Sequence, residues 1–377
     1  MISNVTVSAN QTEMSKVIEW SDLPGDLLDY IANGLFSKVE LVRFRSICKT
    51  WRSSVVTNEK RFRNHINRNR RRRLSSYDSR RCLLSPAALC RVIHSSRPEK
   101  GWLILTQGIY GVSSKSKLLS PLSRNSIVGS SSGKTLDLLK FTVSEIHQSY
   151  DVDQYEYDWS SVSSYKFARV VLVGDLVFIV NCNKQIWWCN SSETDKPWAR
   201  IMDEEVKNFS DILLHKGHLY ALDLNGAIWW ISLSELNIFQ YGPSTPLEYY
   251  EIDDCKDKRL VVYCGDLCIV HRFGKIFTVK GVKVERTTGF KVYKMDVENI
   301  KWVEVKSLGD KAIVMATDSC FSLLAREYYG CLENSIYFID KVGKNDVEVF
   351  KLGDGSITKM ADDSSQSCFQ MLIPSFV

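Results

Sequence analysis

Two unlike parts are predicted along these 377 residues, a small all-α module of three short helices followed by an all-β repeat region, which makes the chain α+β and multidomain. Three observations predict it. Between Trp20 and Val56 the apolar residues recur at helical spacing. From Gly101 onward they collect in runs of four or five, rich in β-branched and aromatic types and bounded by Gly, Asn, Asp or Lys. A glycine followed by a polar residue and a strand returns at Gly174, Gly217, Gly265 and Gly309, at intervals of 43 to 48 residues. Periods of about 40 to 50 with several strands each are what a β-propeller leaves in a sequence, and the length available gives about six or seven blades.

The helical part follows from local rules. Ser21 or Asp22 can cap a helix opening near Pro24, because proline has no N–H to waste at the first helical position. Leu27, Leu28, Ile31 and Leu35 then fall three or four apart, and Gly34 ends the turn. Ser37 followed by Glu40 has capping-box spacing, and Leu41, Phe44, Ile47 and Cys48 continue the stripe towards Trp51. About forty residues bury too little surface to be stable unaided, so this module is expected to dock on a partner.

Leu23-Pro24, Asp26-Leu27-Leu28 and Ile31, followed by Phe44-Arg45-Ser46-Ile47-Cys48-Lys49 and Trp51-Arg52, resemble an F-box, in the form found in plants. The match is in register over about thirty-five residues. In that family the module binds a Skp-type adaptor and so joins a cullin–RING ubiquitin ligase. The resemblance implies Leu23, Pro24, Leu28, Ile31 and Val42 at the adaptor face, with Leu27, Leu35, Phe44, Ile47, Cys48 and Trp51 in the module's own core.

Composition sets the wider frame. Hydrophobic residues at 44% and charged residues at 25% are those of a folded chain, and no apolar run approaches the roughly eighteen residues of a membrane helix. Eleven cysteines, an odd number without regular spacing, fit reduced thiols in a nuclear or cytoplasmic protein, the nucleus being favoured. Residues 1–16 read as a polar tail with neither a secretory signal nor a transit peptide, 17–60 as the helical module, 61–95 as an arginine-rich linker and 96–377 as the propeller.

Charge is uneven along these divisions. Residues 1–100 hold 19 Lys and Arg against 9 Asp and Glu, so the remaining 277 carry five net negative charges within the overall +5. The excess centres on Arg70, Arg71, Arg72 and Arg73, which fit a nuclear import signal, a nucleic-acid contact, a docking strip for an acidic partner or a solvated linker. Nucleic acid is the least favoured of these, because the segment lacks the interleaved aromatics on which single strands stack.

The tryptophan pairs Trp187-Trp188 and Trp229-Trp230 stand at matching places in two repeats, and in a strand adjacent side chains point to opposite faces. One of each pair is therefore expected in the core and the other nearer a surface. Farther on, Trp302-Val303-Glu304-Val305, Ser319-Cys320-Phe321 and Glu333-Asn334-Ser335-Ile336-Tyr337-Phe338 resemble the kelch-like, KIB-type propeller domain of plant F-box proteins. Ser120-Pro121 departs from that family's usual Asn-Pro in the first blade. The resemblance implies that the propeller recognises a protein target and names none.

No catalytic motif survives inspection. Gly129-Ser130-Ser131-Ser132-Gly133-Lys134-Thr135 has three residues between its glycines where a P-loop needs four, and it lacks the alternating βα context. Cys255, Cys264, Cys268 and His271 are poor zinc ligands, since alternation along a strand points Cys268 and His271 apart. Asp253-Asp254 and Asp362-Asp363 read as solvated turns. The expectation is a non-catalytic receptor subunit with no cofactor or metal, which binds a Skp-type adaptor, through it cullin and RING subunits, and an unknown protein target. The competing readings are a regulatory binder that promotes no ubiquitination and a nuclear factor using the arginine segment on nucleic acid.

Overall fold

In the computed structural model the carbonyl of Pro24 accepts the N–H groups of Leu27 and Leu28 at 3.1 Å each, which starts helix α1 (Gly25–Asn33). The residues described are 20–33, 43–54, 73–77, 80–108, 116–125, 140–155, 169–181, 183–190, 198–201, 208–245, 254–279, 281–296, 298–340, 347–360 and 368–369. The chain divides between Arg68 and Asn69 into two units.

In the first unit residues 43–46 and 49–54 are also helical. Leu28, Ala32, Phe44 and Trp51 form its core, with Leu23, Ile31 and Cys48 packed against them. The Phe44 and Trp51 rings lie 4.5 Å apart, and the Trp51 indole donates to the Trp20 carbonyl at 2.9 Å. That hydrogen bond ties the residues before α1 to the helical segment 49–54.

The second unit is five antiparallel-dominated sheets. The first holds β1 (Arg73–Tyr77), β2 (Arg80–His94), β3 (Arg97–Gly108), β4 (Ser116–Leu119) and β5 (Phe141–Tyr155), with β2 between β3 and β5. The second runs β6 (Arg169–Val173), β7 (Leu176–Val180), β8 (Ile186–Asn190) and β9 (Ala199–Arg200), in chain order. The third does the same with β10 (Phe209–His215), β11 (His218–Asp223), β12 (Ile228–Ile231) and β13 (Ile238–Gln240). The fourth comprises β14 (Cys255–Tyr263), β15 (Asp266–Val279), β16 (Val282–Asp296) and β17 (Lys301–Glu304). The fifth, from β18 (Lys311–Met315), β19 (Cys320–Leu324), β20 (Ser335–Ile339), β21 (Val347–Lys351) and β22 (Ile357–Lys359), sets β18 between β19 and a parallel β20.

An edge strand of each sheet joins a closed ring. Tyr150 of β5 packs on the cluster around Val170 of β6. Arg169 of β6 grips Asp211 of β10, which accepts the Leu260 N–H of β14 at 2.8 Å. Ser322 of β19 donates to the Val262 carbonyl of β14, and the Phe321 ring of β19 stacks on His147 of β5. This is a propeller with blades in chain order.

The repeat glycines have a common position. Gly174, Gly217 and Gly265 lie in the two-residue turns before β7, β11 and β15, and Gly309 lies in the turn before β18, all with φ between 58° and 84°. Each turn needs a left-handed residue, which glycine supplies without steric cost. The period read in the sequence is thus the recurrence of the second strand from the axis.

Two expectations are corrected. The described residues form five blades, not six or seven, because residues 73–155, long enough for two periods, make one sheet from two 15-residue strands, β2 and β5. The linker expected over 61–95 is a strand for much of its length. Leu89, Cys90 and Val92 of β2 are buried in the first blade, and the neighbouring arginines had masked this apolar run.

Candidate functional site

The helical unit presents two apolar stripes, and only one is used internally. At 100° per residue Leu28, Ile31 and Ala32 of α1 share the inward face, while Leu27 and Tyr30 share the next one round. Leu27 is 44% exposed and Tyr30 78%, and Ile47, in the turn before the last helix, is 53% exposed. Burial differs from what the resemblance implies at three places. Leu28, expected at the adaptor face, is fully buried, whereas Leu27 and Ile47, expected in the core, face solvent. Leu23 and Ile31 are half-buried and Pro24 is exposed, while Phe44, Cys48 and Trp51 lie in or against the core. Val42, Leu35 and Arg70 to Arg72 lie outside the described residues, and Arg73 begins β1. Exposed large apolar side chains of this kind are common at protein contacts.

On the propeller axis the ring is held by charge. Arg169 meets Asp211 through two bonds, Nε to Oδ1 at 2.6 Å and Nη2 to Oδ2 at 2.7 Å. Its Nη1 donates to the Asp318 carbonyl at 2.9 Å, while Arg124 reaches the Asp318 carboxylate at 2.6 Å. Arg259 binds Asp257 at 3.0 Å and the Thr317 carbonyl. Burial alone would lower the affinity of Arg169 for its proton, but the Asp211 carboxylate outweighs it and the guanidinium is held charged. Burial pushes the Cys320 thiol up to about 12, which leaves it an unreactive core group.

No residue of this network was singled out from the sequence, although a signal was present. Arg169, Asp211 and Arg259 each stand five or six positions before a repeat glycine, at the head of an apolar strand. The arrangement fastens blades together and holds no reacting geometry.

A cavity of about 220 Å³ opens beside it, lined by Lys184, Lys256, Asp257, Arg259, Arg272 and Glu285. Arg272 is anchored by Asp340 at 2.5 Å and by Thr287 at 2.8 Å. From the cavity the β15–β16 hairpin continues past the blade. On the third blade Trp229 is buried and Trp230 is partly exposed beside Phe239, as the strand alternation requires. Trp187 and Trp188 are both half-buried and pack against different clusters on the two faces of the second blade.

The motifs weighed for chemistry come apart. Cys268 and His271 are both buried but on opposite strand faces, Cys264 is exposed, and His271 Nε2 lies 3.2 Å from the Thr245 hydroxyl. Among the described residues no group of three or more His, Cys, Asp or Glu is placed to hold a metal ion. Asp254 pairs loosely with Lys275 at 3.6 Å. Asp253, Asp362, Asp363 and the glycine-rich stretch 129–135 lie outside the described residues.

Comparison with known proteins identifies the second unit and finds relatives along nearly the whole chain. Residues 71–351 match the family described as the KIB1-4 beta-propeller. The chain is 68% identical over 366 residues to F-box protein At4g35733 of Arabidopsis thaliana, covering 97% of this chain and 100% of that one. It is 48% identical over 337 residues to F-box protein At2g26160 of the same plant, covering 87% and 97%. A helical unit with an unsatisfied apolar face, a charge-fastened propeller and these likenesses together place the chain in the KIB1-4 β-propeller family of F-box proteins.

Proposed function

We propose that the chain is the substrate-recognition subunit of an SCF-type E3 ubiquitin ligase. The helical unit binds a Skp-type adaptor, and through it cullin and RING subunits, while the propeller holds a protein target. No group of the chain reacts. Rate enhancement comes from raising the target's effective concentration near the charged ubiquitin-conjugating enzyme. The observation that carries this reading is the solvent-facing set Leu27, Tyr30 and Ile47 beside a core that does not need them. An adaptor covering these side chains would remove apolar surface from water at about 25 cal/mol per Å².

The test is a pull-down of the full chain with a purified Skp-type adaptor, beside a Leu27→Asp/Ile47→Asp variant. Capture of the parent chain and loss with the variant supports the reading. Equal capture of both, or of neither, overturns it.

A further inference from the structure

The fourth blade carries a feature that the second and third lack. Strands β15 and β16 are 14 and 15 residues long, against four to six for the corresponding β7, β8, β11 and β12. Pairing of β14 with β15 ends at Phe273, and β15 goes on with β16 from Gly274↔Thr287 to Val279↔Val282. The outer edge of β15 from Gly274 to Val279 therefore has no partner strand among the described residues. A propeller blade does not need this extension.

Its chemistry is equally particular. Residues 272–294 hold seven Lys and Arg, at 272, 275, 280, 283, 286, 291 and 294, against one acid, Glu285. Residues 101–377 as a whole carry five net negative charges, so the basic groups are concentrated in a part of the chain that is otherwise acidic. Register puts Ile276 opposite Glu285 and Thr278 opposite Lys283, so these four side chains share one face. Glu285 also lines the cavity with Lys184, Lys256 and Arg272, so that face runs into the cavity without a break.

Lysines on an open strand edge have an ordinary explanation, since they keep strands of other chains from pairing there. That explanation does not cover the apolar side chains. Ile276 is 63% exposed and Phe277 45%, on the very ribbon whose charges would be protective. Exposed apolar groups set among cations are what an acidic partner with apolar residues fits.

From this geometry we propose that the β15–β16 ribbon and the cavity at its base form the target-docking surface, and that the docked segment is an extended, acidic stretch of protein carrying apolar side chains. It deepens the receptor reading above and rests on it. The backbone of the segment adds to the edge of β15, its carboxylates meet Lys275 and Arg286 on one face of the ribbon, and its apolar side chains cover Ile276 on the other. A protein segment fits better than nucleic acid. The edge of β15 left unpaired by the described residues offers both N–H and C=O groups, and a phosphodiester backbone, which has acceptors but no donor, can satisfy only the N–H groups.

The test uses the full chain and a fluorescent peptide of alternating Glu and Val, with an alternating Lys and Val peptide and short single-stranded DNA as comparisons. Anisotropy at low ionic strength is expected to show binding of the acidic peptide alone. Lys275→Glu/Arg286→Glu should weaken it about tenfold and Ile276→Asp by a similar factor. Lys301→Glu/Lys351→Glu changes net charge equally on other strands and should leave the affinity in place. Equal loss with that control, no loss with the ribbon variants, no binding of the acidic peptide, or tighter binding of DNA each overturns the proposal. Adaptor capture is measured on the same preparations. Ribbon variants that lose the peptide but keep the adaptor support the docking surface, whereas loss of adaptor capture in the parent chain with peptide binding intact sinks the ligase reading alone.

Discussion

Arg169 and Asp211 sit side on across the joint between the second and third blades, with 5% and 0% of their side chains exposed. Asp211 also accepts the Leu260 N–H of the fourth blade, so one carboxylate joins three blades. Removing either partner strands the other charge in a site from which water is excluded, and that penalty exceeds the attraction lost. Asp211→Ala is expected to cost about 3–5 kcal/mol in chemical denaturation. Asp211→Leu combined with Arg169→Met should recover part of that loss, and a double variant no more stable than the single would show that the Leu260 bond dominates.

Backbone conformation makes a second, smaller prediction. Gly217 and Gly265 have φ of 78° and 84°, and an added Cβ at either would meet nothing within 4 Å. Alanine there should cost about 1–2 kcal/mol through left-handed strain alone. Gly25, at the start of α1, also has open space but no left-handed requirement, so Gly25→Ala should raise stability by about 0.5–1 kcal/mol. Thermal unfolding of the three variants separates backbone strain from crowding.

The same contrast explains what was legible beforehand. The repeat glycines were readable because a tight turn imposes its conformational demand locally, wherever the rest of the chain goes. The Arg169–Asp211 joint was not, since 42 residues separate the pair and only blade closure brings them together. Leu27 and Leu28 show an intermediate case. Both are leucines at helical spacing, and which one faces inward depends on where Phe44 and Trp51 pack, which α1 does not encode. The expected blade count came from dividing length by period, which fails where the strands within 73–155 form a single sheet.

His271 gives the chain a pH dependence with a definite sign. Burial, with Lys258 and Lys291 nearby, pushes its pKa from an ordinary 6.5 down to about 3. The folded state therefore keeps the ring neutral while the unfolded chain takes up a proton below about pH 6.5, so stability falls as pH drops from there towards about 3. His147, lowered to about 4 by burial and then by Arg169, acts the same way over a narrower range. At about 1.4 kcal/mol per pH unit, each ring contributes up to about 2 kcal/mol of loss between pH 6.5 and 5. His271→Gln should roughly halve that slope in denaturation midpoints, and an unchanged slope would place the acid sensitivity elsewhere.

If the helical unit binds the adaptor as proposed, adjacent residues should separate stability from recognition. Leu28→Ala opens a void beside Phe44 and Trp51 and should cost about 2–5 kcal/mol, lowering adaptor capture only because the unit unfolds. Leu27→Asp and Ile47→Asp place charge on side chains already in water, so unfolding should change by no more than about 0.5 kcal/mol while adaptor capture is lost. Circular dichroism and pull-down on the same full-length samples read the two effects independently. If Ile47→Asp unfolds the unit, Ile47 belongs to its core after all. If it leaves both fold and capture unchanged, the adaptor uses a different face of the module.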